Sequence, residues 1–235
     1  MTRFNLRGPL VATLVALALV VAWDASGLDL AAAQWFGTPN GFPWRSNHRL
    51  ILWMHEVPRF TSWALVIGLF LAIGWPVGVL RRLDKAARLQ LALTVLASVL
   101  AVSMIKTHSA TSCPWDLRQF GGMARHVSHW AWGVDDGGPG KCFPAGHASA
   151  AFAYLGGWFV FRRVAPQVAW LWLAVALVVG FALGLGQQMR GAHYMSHTLW
   201  TAWVCWAVGL AMDVVATGWR GRASAARMQA KLNHS

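Results

Sequence analysis

The sequence predicts an all-α fold, a polytopic bundle of six transmembrane helices with both termini on the cytoplasmic side. Three observations carry that expectation. Hydrophobic residues make up 57% of the 235 and charged residues only 12%, a balance far from that of ordinary soluble domains. Several apolar runs reach the roughly 20 residues that cross about 30 Å of hydrocarbon, and a helix satisfies its own backbone polar groups there. Lys and Arg gather in clusters between these runs, as topology signals do, so the net charge of +12 does not point to nucleic acid.

The first span, 8–28, follows Arg3 and Arg7. Such a start also suits a secretory signal peptide, but the run is long and lacks a small-residue cleavage site before the chain turns polar, so it reads as an uncleaved span. The next two, 60–80 and 88–107, flank Arg81, Arg82, Lys85 and Arg88. Arg162 and Arg163 separate 146–162 from 165–187, and Arg220, Arg222, Arg227 and Lys231 follow 195–217. All four clusters fall on one side of a six-span chain, and the positive-inside rule makes that side cytoplasmic. No linker or internal repeat divides the chain, so 1–235 is expected to be one integral-membrane domain of a bacterial-type inner membrane. The opposite, periplasmic side receives a loop near 29–59, a longer one near 108–145 and a tight turn near 188–194. Residues 47–58 have the pattern of an interfacial amphipathic helix. The long loop is rich in Gly, Pro, His and charge, and a loop of that length is either functional or disordered. The many Trp, such as Trp53, Trp115, Trp130 and Trp200, read as interfacial anchors or packing.

Of the three cysteines, Cys113 and Cys142 fall in the long outer loop and Cys205 in the middle of the last span. The outer compartment permits disulfides, so a Cys113–Cys142 bridge is expected, with two free thiols or a pair of metal ligands as the alternatives. Cys205 reads as a small apolar residue.

Three polar clusters share one membrane depth. Lys106 ends the third span and is followed by Cys113-Pro114-Trp115-Asp116-Leu117. Pro144-Ala145-Gly146-His147 opens the fourth span; Pro and Gly before a helix leave backbone N–H groups free, and a helix N-terminus favours an anion. Gln187 to His197 joins the fifth and sixth spans. There His193 and His197, four apart, share a helical face, and Arg190 lies about one turn before His193. A single ionisable residue at a membrane helix end snorkels to the interface. Three clusters converging on one face indicate a site.

These residues resemble the type 2 phosphatidic acid phosphatase (PAP2) family, whose three motifs are K-x6-R-P, P-S-G-H and S-R-x5-H-x3-D. Lys106 and Pro114 match the ends of the first, with Cys113 in place of arginine. Pro144, Ala145, Gly146 and His147 match the second, with alanine for serine. His193 matches the histidine of the third, while Gln187 stands at its arginine and His197 at its aspartate. The resemblance spans roughly 60–217. To replace the missing groups the sequence offers Arg190 for the third-motif arginine and Arg118 or Arg125 for the first. Asp116 or Glu56 is offered for the aspartate, or His197 itself as a neutral partner of His193.

The resemblance implies a phosphatase acting on a phospholipid or isoprenoid-lipid phosphate at the membrane surface. His193 would attack phosphorus to give a phosphohistidine; His147 would protonate the leaving oxygen and then activate water. Lys106, Arg190 and the Gly146 amide would bind the equatorial oxygens. No metal or other cofactor enters this scheme. Phosphatidic acid, phosphatidylglycerol phosphate, undecaprenyl pyrophosphate and lipid A are all open as substrates, and oligomeric state has no signature. Three other readings stay open: a lipid phosphotransferase using the same intermediate, an inactive relative that binds phospholipid, and a metal or haem protein. The last would be built on His193-x3-His197, with His108, His126, His129 and His147 as further ligands.

Overall fold

The computed structural model describes residues 6–131 and 133–232, with side chains as far as residue 222. Arg3, and the side chains of Arg227 and Lys231, counted above in the basic clusters, lie outside that range. Among the described residues the chain is helix and loop, with two isolated β-bridges and no strand. The elements are α1 (Arg7–Ala25), α2 (Leu28–Gln34), α3 (His48–Ile51), a π-helical turn (Leu52–Glu56), α4 (Val57–Leu71) and α5 (Lys85–His108). They continue with α6 (Ser149–Phe152), a 3-10 turn (Ala153–Gly156), α7 (Gly157–Phe161), α8 (Pro166–Met189) and α9 (Met195–Leu232).

Four helical segments are long and apolar enough to cross a membrane: α1, α5, α8 and the Met195–Arg222 part of α9. The two other expected spans are shorter. The run predicted over 60–80 begins earlier and stops at Leu71, because Gly74 and Pro76 follow: Pro76 has no N–H to donate and steers Trp75 away from helix. The proposed interfacial helix over 47–58 is continuous with it, α3 leading through the π turn straight into α4. Its start is capped by Asn47, whose side chain accepts from the Leu50 N–H at 3.0 Å.

The segment expected over 146–162 is α6, the 3-10 turn and α7 in series, and it is the centre of the bundle. Residues 151–157 are all buried, and the core joins Phe152, Leu155 and Phe161 to Leu91, Val95 and Val102 of α5, Ala169 and Ala176 of α8, and Cys205 of α9. A helix apolar on all sides belongs there. Cys205, fully buried, is the packing residue expected of it.

Helices α1 and α9 run antiparallel, stitched by indole donors. Trp206 Nε1 donates to Thr13 Oγ1 at 2.8 Å, Trp203 Nε1 to the Thr13 carbonyl at 3.1 Å and Trp200 Nε1 to Asp24 Oδ2 at 2.6 Å. Trp200 is thus buried and bonded, whereas Trp53 and Trp130 are exposed. Asp29 of α2 accepts from the Ser196 N–H at 2.9 Å and from the Ser196 hydroxyl, capping α9 with a carboxylate.

The long segment between α5 and α6 is ordered by internal bonds. The Cys113–Cys142 disulfide is formed. Buried Asp136 accepts from the Ser112 N–H at 2.6 Å, Ser112 Oγ at 2.8 Å and the Gly138 N–H at 2.9 Å. His129 stacks on Phe143 at 4.1 Å and pairs with Asp24 at 3.2 Å, tying the loop to α1.

The basic clusters gather at the other end. Asp213 of α9, completely buried, accepts from Arg162 Nη2 at 2.9 Å, from Arg163 Nη2 at 2.6 Å and from Gln90 Nε2 at 3.2 Å. Arg220 Nη2 donates to Gln90 Oε1 at 2.8 Å. The antiparallel course of α1 brings Arg7 toward the same end.

Two stability predictions follow from these contacts. Asp213→Ala removes the carboxylate from a buried ion pair and is expected to cost on the order of 3 kcal/mol, with Asp213→Asn costing less; thermal unfolding in detergent measures both. Gly191, in the α8–α9 turn, has φ +74°, and a Cβ there would run into the Phe42 ring. Gly191→Ala is expected to cost about 2 kcal/mol or more in the same assay.

Candidate functional site

Lys106 lies in the last turn of α5, and Pro144-Ala145-Gly146-His147 forms the turn that leads into α6. That turn is fastened to α9: the Ala145 N–H donates to the His197 carbonyl at 3.2 Å, and Thr201 Oγ1 donates to the Ala145 carbonyl at 3.1 Å. Ser149 Oγ donates to the Gly146 carbonyl at 2.6 Å. A cavity of about 280 Å³ opens between α4 and α5. Its polar end carries His55, Arg59, Lys106, Gly146 and His147; Trp63, Val66, Leu96 and Val99 continue it along the helices.

His147 stacks on His55 with 4.2 Å between ring centroids, and its Nδ1 is buried with no hydrogen-bond partner among the described residues. Burial first, then the neighbouring His55, Lys106, Arg190 and Arg59, push His147 down to about 3. The imidazole is therefore neutral in the ligand-free site at neutral pH.

His193 lies behind His147, 6.1 Å away between centroids, and is 3% exposed. Its Nδ1 is 3.4 Å from His197 Nδ1 and 3.7 Å from Cys142 Sγ. Burial first, then the nearby Lys106, His197 and His147, hold its pKa well below the usual histidine value; the Cys142 main chain opposes this by hydrogen bonding. His193 is neutral as well. Cys142 Sγ and one nitrogen each of His193 and His197 lie within 4.8 Å of one another, a spacing able to hold a metal were the sulfur not in the disulfide.

Arg190 and Gln187 act as a unit. Arg190 Nη1 donates to Gln187 Oε1 at 3.0 Å, and its Nε donates to the Arg45 carbonyl at 3.3 Å. Pro58 has no N–H to give the Met54 carbonyl four residues before it, and Gln187 Nε2 supplies that bond at 2.7 Å. Neither Arg190 nor His193 lines the cavity, although Arg190 lies close enough to His147 to depress its protonation.

The structure thus brings together Lys106, Gly146, His147, His193, His197, Gln187, Arg190 and the bridged pair Cys113 and Cys142. It places the remaining candidates elsewhere. Asp116 lines a separate cleft of about 590 Å³ with Arg45 and Trp115, and burial raises its pKa. Arg118 is exposed, its Nε donating to the Met123 carbonyl at 3.1 Å, and Arg125 reaches the Asp135 carbonyl at 3.4 Å. Glu56 pairs with His55 at 2.9 Å and Arg59 at 3.3 Å, so it buttresses the ring stacked on His147 and not His193.

His55 and Arg59 escaped the sequence reading. Their signal was present: they stand one helical turn apart, on either side of Pro58, at the start of an apolar run.

The PAP2 superfamily model matches residues 87–220, from the first turn of α5 through the long loop and α8 into α9. Comparison with the curated proteins and with the solved structures returns no match. The family match covers more than half of the chain, and the protein belongs to the PAP2 superfamily, a membership that implies phosphatase activity on phosphate esters.

Proposed function

We propose that the protein is a metal-independent lipid-phosphate phosphatase of a bacterial-type inner membrane. On this reading the chain is a single domain that crosses the membrane six times, with α4 and the α6–α7 segment completing the set. Its termini and basic clusters are cytoplasmic and its site faces the periplasm. The observation that carries the reading is the form of the cavity between α4 and α5. Cationic and histidine side chains close one end, and an apolar wall of Trp63, Val66, Leu96 and Val99 extends from them along the helices. A phosphate headgroup meets the first while its chains stay against the second and in the bilayer.

In this mechanism the phosphoryl group sits between the His147 and His193 rings. His193 donates its Nδ1 proton to His197 Nδ1, which leaves the Nε2 lone pair to attack phosphorus. His197, carrying its own proton on Nε2, takes the orienting position that an aspartate holds in the family pattern. Lys106, Arg59, Arg190 and the Gly146 amide stabilise the equatorial oxygens. His147 gives a proton to the leaving oxygen, then removes one from the water that hydrolyses the phosphohistidine.

Phosphate release from phosphatidic acid, phosphatidylglycerol phosphate, undecaprenyl pyrophosphate and lipid A, measured in detergent with EDTA, tests this. Wild type is expected to turn over at least one of them. His193→Ala should fall to background, His147→Ala by about 10²–10⁴-fold and Arg190→Ala by about 10²-fold. Activity that survives His193→Ala would remove the nucleophile assignment.

The pH profile has a definite sign. With His147 neutral in the free enzyme, the proton for the leaving group arrives on the substrate monoanion. So kcat/KM should fall about tenfold per pH unit above the phosphate's second pKa, about 6. A flat profile through pH 9 contradicts that account. His197→Asp, which introduces a carboxylate acceptor, is expected to keep kcat within about tenfold of wild type, whereas His197→Ala should lose about 10²-fold or more.

A further inference from the structure

The surroundings of His193 and His197 have a feature that phosphoryl transfer does not use. Cys142 is fully buried and its main-chain N–H donates to the Thr111 carbonyl at 2.9 Å, which holds it in place independently of the bridge to Cys113. Its sulfur lies 2.8 Å from the Ala192 carbonyl, a contact without a hydrogen because the sulfur is oxidised. The same sulfur is 3.7 Å from His193 Nδ1, which is 3.4 Å from His197 Nδ1. A tetrahedral zinc site with Zn–N of about 2.05 Å and Zn–S of about 2.3 Å requires N···N edges of about 3.4 Å and S···N edges of about 3.6 Å. These two edges match those of a coordination tetrahedron, and the three ligand atoms all lie within 4.8 Å of one another.

The geometry points to a site for a thiophilic divalent metal ion such as zinc, formed by Cys142 Sγ, His193 Nδ1 and His197 Nδ1, that the Cys113–Cys142 disulfide keeps closed. A disulfide sulfur is a poor ligand and a thiolate a strong one. Reduction by a dithiol or a phosphine opens the site: the S–S bond takes two electrons and two protons to give two thiols, and Cys142 loses its proton to the solvent as the metal binds. Three protein ligands leave a fourth position for water or another small ligand.

Metal at this site stops the proposed chemistry for a simple reason. A neutral imidazole has one unprotonated nitrogen. When His193 Nδ1 binds metal, the proton resides on Nε2, and the lone pair required for attack on phosphorus is gone. The disulfide therefore protects the nucleophile from metal capture. This consequence rests on the phosphohistidine reading; metal binding itself does not.

Cobalt(II) is the probe, because thiolate ligation adds a charge-transfer band and tetrahedral geometry intensifies its visible bands. Detergent-purified wild type is titrated before and after reduction by a phosphine, which yields phosphine oxide and two thiols. Cys113→Ser and Cys142→Ser are titrated without reductant, after size-exclusion chromatography has shown each to be monodisperse. Both variants lose the disulfide, but only Cys113→Ser retains the ligand. The expected result is no thiolate band in oxidised wild type, one equivalent bound in reduced wild type and in Cys113→Ser, and no band in Cys142→Ser. His197→Ala in the reduced state should bind at least about tenfold more weakly. A band of equal strength in both serine variants overturns the assignment, as does its absence from reduced wild type. Zinc should inhibit lipid-phosphate turnover in reduced protein and not in oxidised protein, with EDTA restoring it. A cobalt site in protein that hydrolyses no lipid phosphate supports the metal site while removing the phosphatase reading.

Discussion

A side chain larger than hydrogen at Gly156 would run into Thr94 of α5, and one at Gly209 of α9 would meet the backbone of Gly156. That close approach lets the α6–α7 segment lie buried between α5, α8 and α9, and the functional end of the molecule depends on it. The turn at 144–147 is carried at the start of this segment. Its distance from Lys106 at the end of α5 and from the His193–His197 pair at the start of α9 is set by how tightly the three helices pack below. Small residues at helix contacts serve this purpose in lipid, where burial of apolar surface does not drive helices together.

The site built on that packing is positive and its histidines are largely buried. Burial by itself favours neutral histidines; Lys106, Arg59 and Arg190 nearby reinforce it. On the proposed reading, an arriving phosphate reverses the balance, since its negative charge offsets the cations and makes a proton on His147 acceptable. The cations proposed to stabilise anionic oxygens are thus the same ones that keep His147 unprotonated in the ligand-free site. Pro58 contributes at a distance: by freeing the Met54 carbonyl it gives Gln187 a partner, and Gln187 in turn holds Arg190.

The outer segment between α5 and α6 is a structural part of the site. Asp136 and the disulfide hold its two strands of chain together, His129 stacks on Phe143 beside the Pro144 turn, and Trp115 donates its main-chain N–H to the Gly191 carbonyl at 3.0 Å. Asp24 and Asp29, at the junction of α1 and α2, complete this roof by bonding to Trp200, His129 and Ser196. The loop packs against the α8–α9 turn through the Trp115 N–H.

By itself the sequence determined the helical class, the four long spans, the bridged cysteines and the residues that match the family pattern. Those features depend on local composition, on periodicity and on spacing along the chain. Only the tertiary structure decided which groups surround His147 and His193. Asp116 follows the first motif closely in sequence yet faces another cleft, while His55 and Arg59, far away in sequence, face Lys106 and His147. The two shortened helices had the same cause: hydropathy counts apolar residues but does not register that Pro76 ends one run and that close packing breaks the other into short turns. Likewise Arg162 and Arg163 are some 50 positions from Asp213 along the chain, and only folding brings them to it. Electrostatic partners and metal-like tetrahedra are distances in space, and a sequence specifies them only through the fold.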